Sequence, residues 1–487
     1  MLLSVVCFSA TAQEVVVEYV EGPTIMCQGD LRDIMYAVQT SDSPMKARQF
    51  AGSGDAFSYR ERITNMPQYL HDFIDKFIEA GRTVLDGGSS WLSDPTKATS
   101  GSSGYYYPLK EMTDVAVPFT FPAGASSEAI KQAASDVFTS IYDEEYDVLK
   151  SFLPYAFLSL NYDHPEFFWI GNAYYYGISS GYRYSYYPTL GTGTIYYTIN
   201  LTFPLRTNNF DIRTNGVDTY NFRNTTNLAN GVQLFKSSKE TILAECQTGS
   251  QYDKVLAAHE WLTHHNCYNY FYFPMGYTQS QIGDTPWSAL SALEGNDGQQ
   301  APVCEGYARA LKVLCDEMGI PCILMSGIVI DGEGNTGAHM WNYVQMEDKK
   351  WYAVDVTWDD PTVKGYYSQV VTGYESQKWF LLGSESPVEG GMTLIESHPE
   401  GWFNSYTSQG SYSWDLLTGP QLSPVAYTPG AIRTGDVNCD MNVDIADAVS
   451  VLNAMAGQQT SGNPDVNGDG NIDIADFVTV LNIMAGL

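Results

Sequence analysis

The chain has 487 residues, which is enough for two or three domains that each bury a hydrophobic core. It carries 56 acidic and 25 basic residues, which argues against nucleic acid and anionic membranes as partners because both are themselves negatively charged. Beyond the N-terminus no apolar run reaches the roughly 18 residues that a membrane-spanning helix needs. The composition therefore indicates a globular protein without a membrane span.

The first twelve residues have the pattern of a secretory signal peptide. An apolar stretch is followed by Ala10, Thr11 and Ala12, and small residues at this spacing are typical of a cleavage site. A buried N-terminal strand is the alternative interpretation of the same stretch. We predict a signal peptide over residues 1–12 and a secreted protein, either free or attached to the cell surface.

The N-terminal region, residues 13–245, is predicted to contain both helices and strands. The spacing of apolar residues favours helices over 69–85 and 127–153, and a Gly- and Ser-rich loop is predicted over 87–104. A tyrosine-rich stretch, 174–197, is typical of half-buried strands because tyrosine fits a pleated surface. An aromatic platform for polysaccharide is the alternative interpretation of that stretch.

A helix is predicted over residues 252–265, and its histidines suggest a zinc site. His259 and His264 are five residues apart, so they point about 140° away from each other around the helix and cannot share a metal ion. We interpret the helix as a packing element whose apolar residues face the core, namely Leu256, Trp261 and Leu262.

The stretch from 301 to 361 contains the residue types that thiol catalysis requires. Pro302 and the apolar pattern after it predict a helix that begins at Cys304 and ends at Gly319. A cysteine in the first turn of a helix lies at the positive end of the helix dipole, which favours a thiolate. Cys304 is therefore the candidate nucleophile.

A hairpin is predicted downstream of this helix, with strands over 338–344 and 351–356 and a polar turn between them. If the hairpin is centred on Glu347, His339 lies directly opposite Asp355, with their Cβ atoms roughly 5 Å apart. A carboxylate at that distance can orient an imidazole and stabilise its charged form. The hairpin therefore predicts a His–Asp pair.

The motifs around these three residues are similar to those of the bacterial transglutaminase-like superfamily of papain-related thiol enzymes. They are CEGYA at Cys304, HMWN at His339 and WYAVDVTWDDP at Asp355, in that order. The similarity extends over roughly residues 251–361 and more weakly over 380–398, and the segment DHPEFFW, residues 163–169, resembles one that precedes the core in many of these proteins. The resemblance implies the roles of nucleophile, general base and orienting carboxylate, without a catalytic cofactor.

The resemblance also implies an α+β fold. We expect a papain/transglutaminase-like core in which the helix bearing Cys304 packs on an antiparallel β-sheet, accompanied by the N-terminal region. Gln299 and Gln300 are candidate oxyanion donors by analogy with papain, next to the backbone N–H of Cys304. Three tryptophans either line the cleft or belong to the core: Trp287, Trp341 and Trp358.

Seven cysteines remain after the predicted signal peptide. Cys315 lies about 16 Å along the helix from Cys304, which is beyond disulfide reach. Cys315 and Cys322 are either small core residues or a pair. The pairing of the others is left open: Cys27, Cys246, Cys267 and Cys439.

A tandem repeat follows the Pro- and Gly-rich stretch 423–434, which is interpreted as a linker. Two copies of 22 residues begin at Asp436 and Asp465 and share 16 positions. Oxygen-bearing side chains at positions 1, 3, 5, 9 and 12 have the spacing with which an EF-hand-type loop holds Ca²⁺. They are Asp436, Asn438, Asp440, Asp444 and Asp447 in the first loop, and Asp465, Asn467, Asp469, Asp473 and Asp476 in the second.

An aspartate at position 12 and a single following helix resemble the dockerin type I module rather than a true EF-hand. The resemblance implies a small all-α module with two calcium sites that binds a cohesin on a scaffold or cell surface, as in cellulosome-type assemblies. Met441 stands where the turn of the first loop prefers glycine, so the second loop fits the pattern better. Positions 10 and 11 are Ile-Ala in both loops and would suit an apolar contact.

Together these features predict a secreted thiol enzyme that is tethered through a dockerin. We expect a companion region over 13–245, a catalytic domain over 246–422, a linker over 423–434 and a dockerin over 435–487. The expected reaction is hydrolysis of peptide or glycoprotein amide bonds through a Cys304 thioester. The alternatives are a protein cross-linking transglutaminase, a non-catalytic surface or adhesion scaffold, or a chain whose function lies in the dockerin alone.

Overall fold

A computed structural model gives the fold of the chain. It describes residues 13–30, 57–63, 65–87, 104–110, 115–170, 173–204, 209–212, 218–221, 225–273, 275–276, 285–296, 298–361, 369–399, 403–407, 410–414, 419–429, 434–438, 442–460 and 462–486. The predicted signal peptide and most of the loop predicted over 87–104 lie outside these ranges. In the described part of the chain, the helices are all too short or too polar to cross a membrane.

An antiparallel sheet organises the N-terminal region. In the described part of the chain it has five strands in the order β1-β4-β5-β2, and β3 pairs with the first half of β5. The strands are β1 (Val15–Asp30), β2 (Gly104–Lys110), β3 (Ala116–Thr120), β4 (Ala173–Tyr187) and β5 (Thr192–Pro204). A separate short hairpin follows, formed by β6 (Asn209–Ile212) and β7 (Asp218–Asn221).

Tyrosines of β4 pack against a helix. The rings of Tyr182, Tyr184 and Tyr186 are buried and stack along one face of the strand, with 6.1 and 6.0 Å between successive centroids. Phe138 stacks on Tyr182 with 4.4 Å between ring centroids. The sheet-packing interpretation of the tyrosine-rich stretch is confirmed for these residues.

Two long helices pack against each other and against this sheet: α1 (Gln68–Leu85) and α2 (Ser127–Asp163). The first matches the prediction over 69–85. The second was predicted to end at 153 but continues through Pro154 to Asp163. Proline removes one helical hydrogen bond, yet the residues after it are nearly all buried, so packing outweighs that loss.

The second half of the chain places a group of helices against a small sheet. The helices are α3 (Thr225–Cys246), α4 (Gln251–His265), α5 (Ala289–Leu293) and α6 (Cys304–Glu317). The antiparallel sheet has the order β10-β9-β8 and consists of β8 (Cys322–Ile330), β9 (Thr336–Gln345) and β10 (Trp351–Val354). Helix α6 contacts β8 and β9. Helices combined with antiparallel sheets confirm the predicted α+β class.

The N-terminal region and the α6 region share one hydrophobic core. Buried apolar residues from Tyr59 to Leu422 form a continuous cluster. The hydroxyl of Tyr59 donates a hydrogen bond to the carbonyl oxygen of Leu324, and the hydroxyl of Tyr162 donates to Ser326 Oγ at 2.5 Å. The N-terminal half therefore supports the strands that carry the candidate site.

The register of the β9–β10 hairpin differs from the prediction. Trp351 pairs with Gln345 and Val354 pairs with Asn342, so the hairpin is centred on residue 348 and Asp355 lies beyond the last paired residue. The cause is a three-residue loop that ends at Lys349, whose φ of 60° is in the left-handed region. No glycine or Asn-Gly pair marks this loop in the sequence, so the pattern alone did not locate its centre.

The chain after β10 forms short elements and a separate C-terminal module. The short elements are α7 (Val356–Asp359), α8 (Leu394–Ser397), β11 (Phe403–Thr407) and β12 (Gly410–Trp414). In the C-terminal module α9 (Ile445–Met455) and α10 (Ile474–Met484) contact each other. This module has its own small core of Val437, Ala448, Val451 and Val480.

Candidate active site

Cys304 is the first residue of α6, as the sequence predicts. Val303 is the N-cap, and its backbone N–H donates to the carbonyl oxygen of Pro286 at 3.0 Å, which anchors the start of the helix. Cys304 is 7% exposed. Its thiol therefore lies at the positive end of the helix dipole in a site that is almost closed to water.

His339 and Asp355 form a direct pair. The distance between His339 Nε2 and Asp355 Oδ2 is 2.7 Å, and both side chains are buried. Asp355 is the N-cap of α7, so its Oδ1 accepts a hydrogen bond from the backbone N–H of Trp358 at 3.1 Å. Because Nε2 of His339 is bonded to Asp355, Nδ1 is the ring nitrogen left to interact with the side chain of Cys304, which contributes to the pKa of His339.

The pair favours the charged forms of both partners. Burial lowers the pKa of His339, but the charge of Asp355, its hydrogen bond and the hydrogen bond with Cys304 raise it to about 10. Burial raises the pKa of Asp355, but the charge and hydrogen bond of His339, together with the hydrogen bond of His398, hold it well below its usual range. The imidazole is therefore held as a cation beside the thiol.

Tyr268 contacts the nucleophile and was missed by the sequence analysis. It makes hydrogen bonds with the backbone N–H and with the side chain of Cys304, and burial and the charge of Cys304 raise its pKa well above the ordinary value. The next residue, Asn269, holds this segment in place: its Nδ2 donates to the carbonyl oxygen of Ala301 at 2.7 Å. Nothing in the local sequence distinguishes Tyr268 from its neighbouring tyrosines.

His398 is a second histidine at the site that the sequence analysis did not assign. Its Nε2 is 3.1 Å from Asp355 Oδ2, the same oxygen that binds His339. Of the tryptophans that the sequence left open, Trp341 is 1% exposed, and Trp358 is partly buried with its ring 5.4 Å from that of His339. Both belong to the packed wall behind the His–Asp pair.

A second buried His–Asp pair lies apart from the thiol. His259 Nε2 is 3.0 Å from Asp359 Oδ2, and Asp359 also accepts a hydrogen bond from the hydroxyl of Ser376. His264 is on another face of α4, with its nearest acidic partner, Glu375, at 3.9 Å. This separation agrees with the prediction that the two histidines of α4 do not share a metal ion.

Two other buried cysteines, Cys246 and Cys315, have raised pKa values. Cys315 makes a hydrogen bond with Cys322, and this bond and burial raise the pKa of Cys315 well above its ordinary value. Burial and the charge of Glu245 raise the pKa of Cys246 to about 11. These thiols and that of Cys267 are not in disulfides. A raised pKa makes a thiol a poor nucleophile near neutral pH.

A group of three metal-ligating side chains lies at the candidate site. Among the described residues, only His339, Asp355 and His398 have donor atoms that all lie within 4.8 Å of one another. Each Nε2 is already bonded to the carboxylate, and an imidazolium offers no lone pair to a metal ion. Hydrogen bonding therefore accounts for this group without a metal.

The two predicted calcium loops have matching local geometry. Asp447 and Asp476, at position 12, are fully buried, and each accepts backbone N–H groups of its own loop. Their second oxygens accept from the N–H of Asp444 at 2.8 Å and of Asp473 at 2.9 Å. Asp440 and Met441 lie outside the described residues.

The donor chemistry of these loops fits a hard cation. All predicted ligands are oxygen donors, and no Lys or Arg occurs between Thr434 and Leu487. The loop carboxylates that the structure describes do not form a group with all donor atoms within 4.8 Å. The assignment of calcium therefore rests on donor chemistry and on the repeated local fold.

Comparisons with known proteins agree with both resemblances. Residues 240–356 match the model of the Transglutaminase-like superfamily, and residues 434–485 match that of the Dockerin type I domain. A solved structure described as "Crystal structure of a TGase" is 21% identical, with a TM-score of 0.22, and the match covers 38% of this chain and 46% of that one. The chain thus spans about half the length of that protein. No curated protein matches this chain.

Proposed function

We propose that the protein is a cysteine-dependent acyl-transfer enzyme that hydrolyses peptide or glycoprotein amide bonds. The observation that carries this proposal is the buried His339–Asp355 pair, bonded at 2.7 Å, with the side chain of Cys304 close enough to the imidazole to affect its pKa. A buried thiol, a base and an orienting carboxylate in this order are the components of nucleophilic acyl transfer. The transglutaminase-like match over residues 240–356 supports the same chemistry.

The first step forms a thioester. The thiol proton already resides on Nδ1 of the His339 cation, so the sulfur of Cys304 attacks the amide carbonyl carbon as a thiolate to give a tetrahedral intermediate. His339 then returns the proton to the leaving nitrogen, the C–N bond breaks and an amine departs. Asp355 stays ionised throughout and keeps Nδ1 of His339 directed at the sulfur.

The oxyanion of the intermediate has two donors within reach. The backbone N–H of Cys304 is at a helix start, and the hydroxyl of Tyr268 is bonded to the same N–H. A hydroxyl in this position can donate to an oxygen that becomes negative as the intermediate forms. We assign oxyanion stabilisation to this pair in place of the predicted glutamines.

The second step releases the acyl group. His339 removes a proton from water, the hydroxide attacks the thioester carbonyl, and the sulfur of Cys304 leaves as the C–S bond breaks. An amine in place of water would instead give a cross-linked product. We favour water because an enzyme that is secreted and tethered through a dockerin would act among extracellular polymers, where hydrolysis is a common task.

The dockerin tethers the enzyme to a scaffold in this proposal. The match over residues 434–485 implies a cohesin partner, as is usual for cellulosome-type extracellular proteins. Calcium would be held by the ten predicted loop residues, and when bound it neutralises their negative charge. The exposed apolar residues Ile445 and Ile474, at position 10 of each loop, suit contact with such a partner.

Mass spectrometry of casein and mucin glycopeptides tests the reaction. The full chain should generate new termini or lose ammonia from amides, and a Cys304→Ala variant should generate neither. Added primary amine should leave the products unchanged if water is the acceptor, whereas incorporation of the amine would identify a transglutaminase. Identical product masses for the wild type and the variant would support the scaffold alternative.

A further inference from the structure

One carboxylate oxygen joins two imidazoles at the candidate site. Asp355 Oδ2 is 2.7 Å from His339 Nε2 and 3.1 Å from His398 Nε2. The two rings meet edge to face, with centroids 5.8 Å apart. His398 is 1% exposed, so this arrangement is closed to bulk water.

The Asp355 carboxylate determines which ring nitrogens of the two histidines carry protons. A carboxylate only accepts hydrogen bonds, so both Nε2 atoms must carry a proton. Burial lowers the pKa of His398, and although Asp355 raises it, the charge of His339 lowers it further, so the net shift is downward. His398 is therefore a neutral donor and adds no second positive charge.

The ring of His398 has little freedom to turn. It is enclosed by the rings of Trp358, Trp379 and Trp341, whose centroids are 4.6, 4.9 and 5.0 Å from its own. Its Nδ1 is 3.2 Å from Ser397 Oγ, and the same oxygen is 2.7 Å from the carbonyl oxygen of Ile330 on β8. The donor of His398 is thus fixed relative to β8.

We propose that His398 is a positioning residue for the triad: its Nε2–H holds the Asp355 carboxylate ionised and in one orientation, so that His339 always presents Nδ1 to Cys304. The inference rests on the proposed function, because it concerns how the same thiol is activated. It differs from a packing role, since packing requires the shape of the ring and not the N–H group.

Without the Nε2–H of His398, the ionised carboxylate of Asp355 would accept one hydrogen bond fewer. Protonation of Asp355 would then occur at higher pH, and rotation of its oxygens would be less restricted. Either change weakens the hold on His339 and therefore the ion pair with the thiol. A small misplacement of catalytic groups can lower a rate by up to about 100-fold.

The chain offers a matched control. His259 and Asp359 form another buried His–Asp pair in the same core, at 3.0 Å, and the backbone N–H of Asp359, but not the side chain of His259, is bonded to the triad, at the carbonyl oxygen of Asp355. A substitution of His259 removes a comparable pair without touching the triad. It therefore reports the effect of losing a buried histidine as such.

The test is the pH profile of iodoacetamide alkylation at Cys304, followed by peptide mass spectrometry on the full chain because other cysteines are free. We compare the wild type with His398→Phe, His398→Gln and His259→Gln. The Phe variant should move the acid limb of the profile upward by about one pH unit and lower the plateau rate about tenfold or more. The Gln variant, which can present an N–H near the position of Nε2, should recover most of the rate.

The His259→Gln variant should lose thermal stability but keep the wild-type profile. The inference is overturned if the folded His398→Phe variant has the wild-type profile, or if His398→Gln is as impaired as His398→Phe. If EDTA shifts the alkylation profile of the wild type, the group of His339, Asp355 and His398 holds a metal ion, and the inference is also overturned. If the wild type itself shows no fast alkylation in acid, the proposed function fails and this inference fails with it.

A measurement on the native chain covers the case in which His398→Phe does not fold. Nitrogen-15 NMR of histidine-labelled protein, with His398 assigned from the Gln variant, should show His398 protonated at Nε2 and unprotonated at Nδ1 near neutral pH. An unprotonated Nε2, or protons on both nitrogens, would overturn the inference.

Discussion

Asp355 Oδ2 lies 2.7 Å from His339 Nε2, although Asp355 has no partner in the β9–β10 ladder. The contact is made because Asp355 caps α7, which turns the carboxylate toward β9 with its other oxygen bonded to the N–H of Trp358. The side chain of Asp355 thus caps α7 and also pairs with His339. Burial lowers the pKa of His339, but the raising contributions outweigh it. The charge of Asp355 raises this pKa more than the hydrogen bond of Asp355 does.

The charge of Asp355 can be removed with little change of shape. An Asp355→Asn variant keeps an acceptor oxygen but loses the charge, so the pKa of His339 should fall from about 10 toward its ordinary value. We expect the acid limb of Cys304 alkylation to move to higher pH and the rate near pH 6 to fall about tenfold or more. Asp359→Asn, in the other buried pair, is the control, and an equal effect of both variants would contradict this account.

The His339–Asp355 pair also predicts how stability depends on pH. Folding raises the pKa of His339 from 6.5 to about 10, so its contribution is fully present below 6.5 and is lost as pH rises through about 10. Folding lowers the pKa of Asp355 from 3.8, so its contribution is present above 3.8 and is lost as pH falls through the folded value. The free energies of unfolding of the wild type and His339→Gln, obtained from urea titrations, should therefore differ most near pH 5 to 6, by about 3 kcal/mol, and converge above about pH 10. A constant difference across that range would contradict the prediction.

The hydroxyl of Tyr268 can be removed to test the oxyanion assignment. A Tyr268→Phe variant should lower kcat by about 10²- to 10³-fold with little change in KM, as loss of one oxyanion donor does in other acyl-transfer enzymes. Tyr374→Phe is a suitable control because Tyr374 is 57% exposed. Faster turnover of Tyr268→Phe would show instead that the hydroxyl blocks the site by occupying the Cys304 N–H.

The sequence predicted those parts of the site that local patterns specify. The start of α6 at Cys304 follows from Pro302 and the apolar spacing. The sequence also paired His339 with Asp355, but the contact is made through the cap of α7 and not through the predicted cross-strand register. Tyr268 and His398 were missed because they reach the site from 36 residues before Cys304 and 59 residues after His339. Their contacts depend on how distant loops pack, and no local pattern records that.

The errors in the predicted elements have the same physical origin. Pro154 predicts a helix end from local sterics, but burial of the following residues keeps α2 intact to Asp163. The centre of the β9–β10 hairpin was set one residue too early because Lys349 adopts a left-handed conformation usually taken by glycine or asparagine. Tertiary packing decided both cases against the local preference.

Removal of calcium should unfold the C-terminal module while the rest of the chain stays folded. Among the described residues of the module, four apolar side chains form its buried core, and eight acidic side chains of the repeat repel one another, so cation binding must supply much of its stability. Calcium at about 100 times its Kd should stabilise the module by about 2.7 kcal/mol. Limited proteolysis of the full chain should therefore cut within 435–487 in EDTA and leave that range intact in calcium, while Cys304 alkylation stays unchanged.

In a matched pair of variants, Asp476→Asn should weaken calcium protection more than Asp447→Asn, because only the second loop keeps glycine at the turn. Resistance to protease in EDTA would show that the module folds without the cation.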